Sequence, residues 1–157
     1  MYNSRMNNPN SDSPETISDL KKILSDHNKW LDSNGQEGVF ADLKNCKLKG
    51  AVLIGANLKN ANLEGAYLYG AYLKNANLEN ANLEGANLRG ANLRWANLKN
   101  TNMKNANLVR ADLMQADLKD TLLEGANLKM AEGLTIDQLK DATTNTETIL
   151  PESLNQK

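Results

Sequence analysis

The chain has 157 residues, a formal net charge of −1 and only 4% aromatic residues. This length suits a single domain, and a nearly neutral charge gives no general attraction to nucleic acid or to an anionic membrane. Because aromatic residues are few, the core must be built from the abundant Leu and Ala. Cys46 is the only cysteine in the sequence, which excludes an intrachain disulfide.

Residues 1–12 are polar and rich in Asn, which predicts a disordered tail. They lack the apolar stretch of about 7–15 residues that a secretory signal peptide requires. No run in the chain approaches the roughly 20 apolar residues of a membrane-spanning helix. We therefore expect a cytoplasmic protein with no membrane partner.

Residues 13–40 are predicted to form an N-terminal capping helix and the lead-in to the next segment. Ser13 and Pro14 are a typical N-cap and first-turn pair, and Asn34-Gly35 is a typical helix end. Between them, five side chains follow at helical spacings of three and four: Ile17, Leu20, Leu24, His27 and Leu31. Trp30 and Phe40 are expected to form an apolar plug over the segment that follows.

Residues 41–130 repeat every five residues without an insertion, which gives 18 repeats. The third position is Leu 17 times and Met once, and the first position is Ala 15 times. The second position is Asn ten times and Asp three times, and the fifth is Gly seven times and Asn six times. Leu at every fifth residue would spiral around an α-helix, and a strand needs a period of two.

Gly and Asn at the fifth position predict a corner after each repeat, because both tolerate a positive φ. The chain would then coil, with equivalent positions stacked about 4.8 Å apart, the spacing of neighbouring strands. Leu would fill the centre, and columns of Asn would pair their side-chain amides between coils. Columns at 15- and 20-residue intervals look equally regular, so the residues alone leave the number of sides open.

The tandem Ala-(Asp/Asn)-Leu-X-X pattern, as in residues 81–85, resembles the signature of the pentapeptide-repeat family. The resemblance covers residues 41–130 and is specific. It implies an all-β solenoid, a right-handed quadrilateral parallel β-helix with four repeats per coil, here with short α-helical caps at both ends. Eighteen repeats would make about four and a half coils, a rod about 20 Å long. Similar proteins are common in bacteria.

Residues 131–151 are predicted to form a C-terminal capping helix and an extension. Gly133-Leu134 breaks the repeat, and Thr135 with Gln138 predicts a capping box that opens a helix from Ile136 to Asp141. Residues 152–157 are predicted to be a disordered tail. Helices at both ends favour a monomer, while the family resemblance leaves an end-to-end homodimer open.

No pattern in the sequence predicts a catalytic, metal or cofactor site. The chain has one His and one Cys, without a cluster at metal-ligand spacing. Cys46 occupies an inward first position that Ala normally fills, so we expect a small buried residue rather than a nucleophile. The glycines lack the following helix and Lys of a phosphate loop. We therefore expect no enzyme activity, no cofactor and no small-molecule substrate.

The resemblance implies that the second, fourth and fifth positions point outward, and most of these residues are polar. Four repeats per coil would gather the exceptions in one region: Tyr67, Tyr69, Tyr72 and Trp95, with Val52 and Ile54 beside them. Exposed aromatic side chains mark partner sites. Aromatic side chains also stabilise sheets by cross-strand packing, so a binding site and flank packing both stay open.

Some pentapeptide-repeat proteins are thought to mimic DNA with an acidic rod and so to regulate type II topoisomerases. Here the repeats hold eight Asp or Glu against 12 Lys or Arg, and the flanks hold 11 against six. Imitation of phosphates needs the opposite balance. The excess is also small for nucleic-acid binding. Four basic residues could line one face, but neighbouring Glu residues favour a salt-bridged surface: Lys49, Arg89, Arg110 and Lys129.

The leading hypothesis is a non-enzymatic protein-interaction scaffold that presents the outward aromatic residues to another protein, whose identity stays open. Regulation of DNA gyrase by DNA mimicry is an alternative that the family suggests and the charge balance opposes. A structural or stress-related protein without a specific partner is the third possibility.

Overall fold

The computed structural model describes residues 17–154. They form a right-handed quadrilateral β-helix preceded by helix α1 (Ile17–Asp32) and followed by helix α2 (Ile136–Lys140). Neither helix in this part of the chain has the length and apolar character needed to cross a membrane. The predicted tail at residues 1–12 and the predicted N-cap at Ser13-Pro14 lie outside the described residues.

Parallel β-bridges determine the number of sides. They join the second position of one repeat to the second position 20 residues later, from Asp42–Asn62 to Asp112–Glu132. Four repeats therefore complete one coil, and each side of the coil contributes a single bridge residue rather than a long strand. We number the faces 1 to 4 by the repeats that begin at residues 41, 46, 51 and 56, together with every fourth repeat stacked on each.

The third and first positions of the repeats form the core, as the repeat predicts. The Leu or Met at each third position is buried, and so is Cys46 at a first position. Two buried first positions are Thr, and their hydroxyls need partners. Thr101 donates a hydrogen bond to the carbonyl of Leu78 at 2.8 Å, and Thr121 donates to that of Leu98 at 2.7 Å.

The predicted corners are confirmed at the fifth position of all 18 repeats. The φ angles there lie between 54° and 68°, the left-handed region. After each corner, the N–H of the next first position donates to the carbonyl of the preceding third position, as Ala51 does to Leu48 at 3.1 Å. The corner conformation is thus imposed by the coil, because it recurs even at Trp95 and Arg110.

Helix α1 covers the open end of the first coil. Leu20, Ile23 and Leu24 pack against the core, and His27 is fully buried. The rings of Trp30 and Phe40, predicted as the plug, lie beside the His27 imidazole at centroid distances of 5.8 and 5.9 Å. The aliphatic residues of α1 pack against the Leu core, whereas Trp30 and Phe40 pack around His27.

The coil continues past the last repeat. Thr143 forms a bridge with Leu122, and Ile149 forms a bridge with Asn127. Between Glu132 and Thr143, helix α2 lies over face 4, and its predicted capping box is present: Gln138 N–H donates to Thr135 Oγ1, and Thr135 N–H donates to Gln138 Oε1. The non-repetitive residues thus complete a further coil.

The structure differs from the predicted C-terminal tail at residues 152–154. Glu152–Leu154 form a 3-10 helix in which Leu154 N–H donates to the Pro151 carbonyl at 3.0 Å. Leu154 also packs against the core, and this apolar contact stabilises the segment. Residues 155–157 lie outside the described residues.

Candidate functional site

Two of the four outward aromatic residues form a stacked pair on face 2. Tyr67 and Tyr69 occupy the second and fourth positions of one repeat, and their rings are nearly parallel at 12° with centroids 6.3 Å apart. Each is 39% exposed. The ammonium of Lys49, one coil below, lies 5.7 Å from the Tyr69 ring centroid. The pair presents apolar ring surface and two hydroxyls beside a cation.

Tyr72 lies around the next corner, on face 3. It forms a β-bridge with Val52 and is 50% exposed. Ile54, two residues beyond Val52, is also exposed. The bridge makes Tyr72 and Val52 neighbours on the sheet, as packing of aromatic residues along the flank requires. Half of Tyr72 nevertheless remains exposed to solvent.

Trp95 occupies the corner that ends face 3. Its φ of 55° places a bulky side chain in the left-handed region, which costs about 1–2 kcal/mol for a residue with a Cβ. The indole is 44% exposed. The Lys74 ammonium and the Arg94 guanidinium each lie 4.8 Å from its ring centroid, and these cation–π contacts recover part of the cost.

The predicted aromatic site is therefore not one continuous cluster. Among residues 17–154, no ring contact joins Tyr72 or Trp95 to the Tyr67–Tyr69 pair. The four residues instead form a band from face 2, across face 3, to the following corner. We call Tyr67, Tyr69, Tyr72 and Trp95 the aromatic band.

A second feature is that all charged residues of face 2 are basic, an arrangement that the sequence suggested for four of them but that was set aside in favour of a salt-bridged surface. The five repeats of face 2 contain five cations and no carboxylate: Lys47, Lys49, Arg89, Arg110 and Lys129. The eight acidic residues of the repeats all lie on faces 1, 3 and 4. We call the outward side of face 2 the basic face.

The expected salt-bridged surface is present on the other three faces. Five ion pairs join neighbouring coils there: Lys44–Glu64, Lys104–Glu124, Arg94–Asp112, Lys59–Glu79 and Lys99–Asp117. On the basic face the expectation is wrong, because Glu residues near these cations in sequence lie around a corner. Sorting the outward residues at 20-residue intervals would have revealed this separation.

The described part of the chain contains no cluster of metal-binding side chains. No group of three or more His, Cys, Asp or Glu within residues 17–154 could hold a metal ion. Cys46 is buried in the core, and His27 is buried beneath α1.

The family model described as Pentapeptide repeats matches the chain in eight copies, over residues 39–75, 66–105 and 91–129. The chain belongs to the pentapeptide repeat family. The matched residues include the aromatic band and almost all of the basic face. Members of this family are generally structural or interaction scaffolds.

Solved structures with a similar fold come from cyanobacteria and plants. The chain is 37% identical to Rfr23, a pentapeptide repeat protein from the cyanobacterium Cyanothece 51142, over 66% of this chain and 67% of that one, with a TM-score of 0.53. It is 32% identical to a pentapeptide repeat protein from the Arabidopsis thaliana thylakoid lumen, over 69% and 81%, with a TM-score of 0.46.

A third similar structure is QnrB1, a plasmid-mediated fluoroquinolone resistance protein. The identity is 17% over 67% of each chain, and the TM-score is 0.39. At this level the similarity carries no argument about function. The sequence has no significant match among curated proteins.

Proposed function

We propose that this protein is a non-enzymatic interaction scaffold of the cytoplasm, which presents its aromatic band to another protein. The observation that carries the proposal is Trp95, an exposed indole held at a left-handed corner. Gly or Asn occupies 13 of the 18 corners at lower conformational cost. The cation–π contacts of Trp95 recover only part of this cost, and its exposed ring surface is available for a contact outside the chain.

The aromatic band has the composition of a partner site. Tyr and Trp are enriched among residues whose truncation costs most in protein interfaces. All four side chains are at least 39% exposed, so each has surface to bury against a partner. The β-helix holds their backbones rigidly through the ladder of bridges, and this rigidity lowers the entropic cost of binding.

The test is a pull-down from native lysate with the wild-type protein and the variant Tyr67→Ser, Tyr69→Ser, Tyr72→Ser, Trp95→Ser as baits. The matched control changes four exposed apolar residues near the other end of the rod: Met114→Ser, Met130→Ser, Ile136→Ser and Ile149→Ser. We expect wild type and control to capture the same protein and the band variant to lose it. Unchanged capture by the band variant, with its circular dichroism intact, contradicts the proposal.

Two other functions give different results. A structural protein without a specific partner would capture nothing above background in wild-type form. DNA mimicry requires a negative rod, whereas face 2 carries five cations and no carboxylate. We therefore expect no inhibition of gyrase supercoiling and no protection of gyrase from quinolones at micromolar protein. Either effect would overturn our choice of function.

A further inference from the structure

We infer that the basic face is the docking surface for an acidic, extended segment of the partner protein. This inference rests on the proposed function and specifies the chemistry of the partner. The first support is charge separation: one face holds five cations without a carboxylate, while the other three faces hold seven cations and eight carboxylates. The positive field is thus concentrated on one side of a nearly neutral protein.

The second support is that three of the five cations have no ion pair within the described residues. Among residues 17–154, Arg89, Arg110 and Lys129 form no ion pair, although all three are exposed. Lys49 contacts the Tyr69 ring rather than a carboxylate. Five of the seven cations on the other faces instead pair with carboxylates of the next coil. Unpaired cations keep their full attraction for an external anion.

The third support is a column of unused hydrogen-bond donors between the cations. Asn87, Asn107 and Asn127 each accept a hydrogen bond from the backbone N–H two residues later. Their side-chain N–H groups donate to no other described residue. On face 4, by contrast, the Asn77 amide donates to Asn57 at 3.2 Å. The basic face therefore offers neutral and charged donors together, and a ligand for it must supply acceptors.

The dimensions of the face fit an extended strand. Lys49 and Lys129 are four coils apart, about 19 Å at the strand spacing. An extended peptide of about six residues spans this distance. Tyr67 and Tyr69 lie in the coil between Lys49 and Arg89, so an apolar side chain of the partner would pack there while its carboxylates meet the cations above and below.

The same geometry favours a peptide over single-stranded nucleic acid. Bases bind non-specifically by stacking on open aromatic ring faces. Here the Tyr69 ring is engaged by Lys49, and the Trp95 ring is engaged by Lys74 and Arg94. A wide polyanion such as a DNA duplex would also approach the carboxylates of the flanking faces, within a screening length of about 10 Å.

The test measures fluorescence anisotropy with a labelled peptide of alternating Glu and Ser residues containing one Phe near its end. Labelled oligothymidine and the corresponding Lys–Ser peptide are the other probes. The variant is Lys49→Gln, Arg89→Gln, Arg110→Gln, Lys129→Gln. The matched control removes the same number of charges from faces 1 and 4: Lys44→Gln, Lys59→Gln, Lys99→Gln and Lys104→Gln.

We expect the acidic peptide to bind wild type and control alike and the basic-face variant at least about tenfold more weakly, since four exposed ion pairs contribute a few tenths of a kcal/mol each. Added salt should reduce the affinity. Tighter binding of oligothymidine, equal losses in both variants, or no binding of the peptide to wild type would each overturn the inference.

Gel filtration tests whether the basic face instead binds a second copy of this chain. A wild-type dimer that the basic-face variant cannot form would also overturn the inference. The proposed function fails separately. If the acidic peptide does not bind while the band variant still loses capture from lysate, only the acidic partner is wrong. If the band variant keeps its capture, the proposed function itself is wrong.

Discussion

The imidazole Nδ1 of His27 accepts a hydrogen bond from the backbone N–H of Ala41 at 3.1 Å, which joins the capping helix to the first residue of the coil. Nδ1 can accept only when it is unprotonated, so the proton lies on Nε2. Nε2 lies 3.0 Å from the Lys59 carbonyl and donates to it. Burial lowers the pKa of His27 below its ordinary value, so the cap is assembled on a neutral ring.

This arrangement predicts that stability falls in mild acid. The unfolded chain takes up a proton on His27 at about pH 6.5, whereas the folded chain does so only at lower pH. The contribution of neutral His27 is therefore fully present above about pH 6.5. This contribution declines as the pH falls from about 6.5 towards the pKa of His27 in the folded chain, by at most about 1.4 kcal/mol per pH unit. Below the folded pKa, His27 makes stability no further dependent on pH.

The measurement is urea unfolding of wild type and His27→Gln at about pH 7.5 and 5.5. Gln keeps one acceptor and one donor but does not titrate, and all other groups are common to both proteins. We expect the stability advantage of wild type to shrink at the lower pH. An advantage that is equal at both pH values contradicts the neutral-ring account.

Gly38 is predicted to be essential for the entry of the chain into the first coil. Its φ is 75°, and a Cβ there would overlap the carbonyl oxygen of Asp26 and the backbone N of Trp30. At Gly50, with φ of 63°, an added Cβ would have no atom of another residue within 4 Å. Both Ala substitutions incur the left-handed strain of about 1–2 kcal/mol, so their difference isolates the overlap.

We expect Gly50→Ala to lower the free energy of unfolding by about 1–2 kcal/mol and Gly38→Ala to lower it clearly further, with loss of helical circular dichroism from α1. Thermal unfolding followed at 222 nm measures both. Equal losses in the two variants would show that the chain moves aside at Gly38 without cost.

The Asn ladder on face 4 is predicted to be worth measurable stability. Asn77 donates to Asn57 at 3.2 Å and accepts from Asn97 at 3.1 Å. Asn92, at the same repeat position on face 3, makes only the local bond from the backbone N–H two residues later among the described residues. Asn77→Ala should therefore destabilise more than Asn92→Ala, by about 1–3 kcal/mol for two hydrogen bonds. Urea midpoints with unchanged m values test this, and equal effects would mean that the ladder is neutral.

Trp95→Asn is predicted to leave stability nearly unchanged while weakening partner capture. Asn occupies the same conformation one coil below, at Asn75 with φ of 57°. Because Asn tolerates the left-handed region better than Trp, relief of part of the strain of about 1–2 kcal/mol offsets the lost cation–π contacts. Gln115→Asn, at the next corner of the same column, is the control without an aromatic ring. A large loss of stability in Trp95→Asn alone would instead support flank packing.

The repeat length and the corners were predictable because both are local properties. Leu or Met at every fifth residue identifies the buried position, and Gly or Asn identifies the left-handed corner at 13 of 18 repeats. At Trp95 and Arg110 the residue type gives no such indication, and only the unbroken period predicts the corner. The capping box of Thr135 and Gln138 was predictable for the same reason, since it spans four residues.

The coil formed by residues 131–150 could not be predicted. These residues have no period, and Thr143 and Ile149 stack on the repeats at intervals of 21 and 22 residues through their backbones. Likewise, helical spacing placed His27 on the apolar face of α1, but its bonds to Ala41 and Lys59 depend on how the helix docks. Long-range backbone contacts leave no pattern in the side chains.

By itself the sequence determined the five-residue period, the Leu core, the corners and the candidate aromatic residues. The tertiary structure decided that four repeats make a coil, that the aromatic residues form a band, and that five cations share face 2 without a carboxylate. The physical reason is that residues which are neighbours in space lie far apart in the sequence. Each outward side chain meets its partners about 20 residues away, across coils whose stacking depends on the angle of every corner.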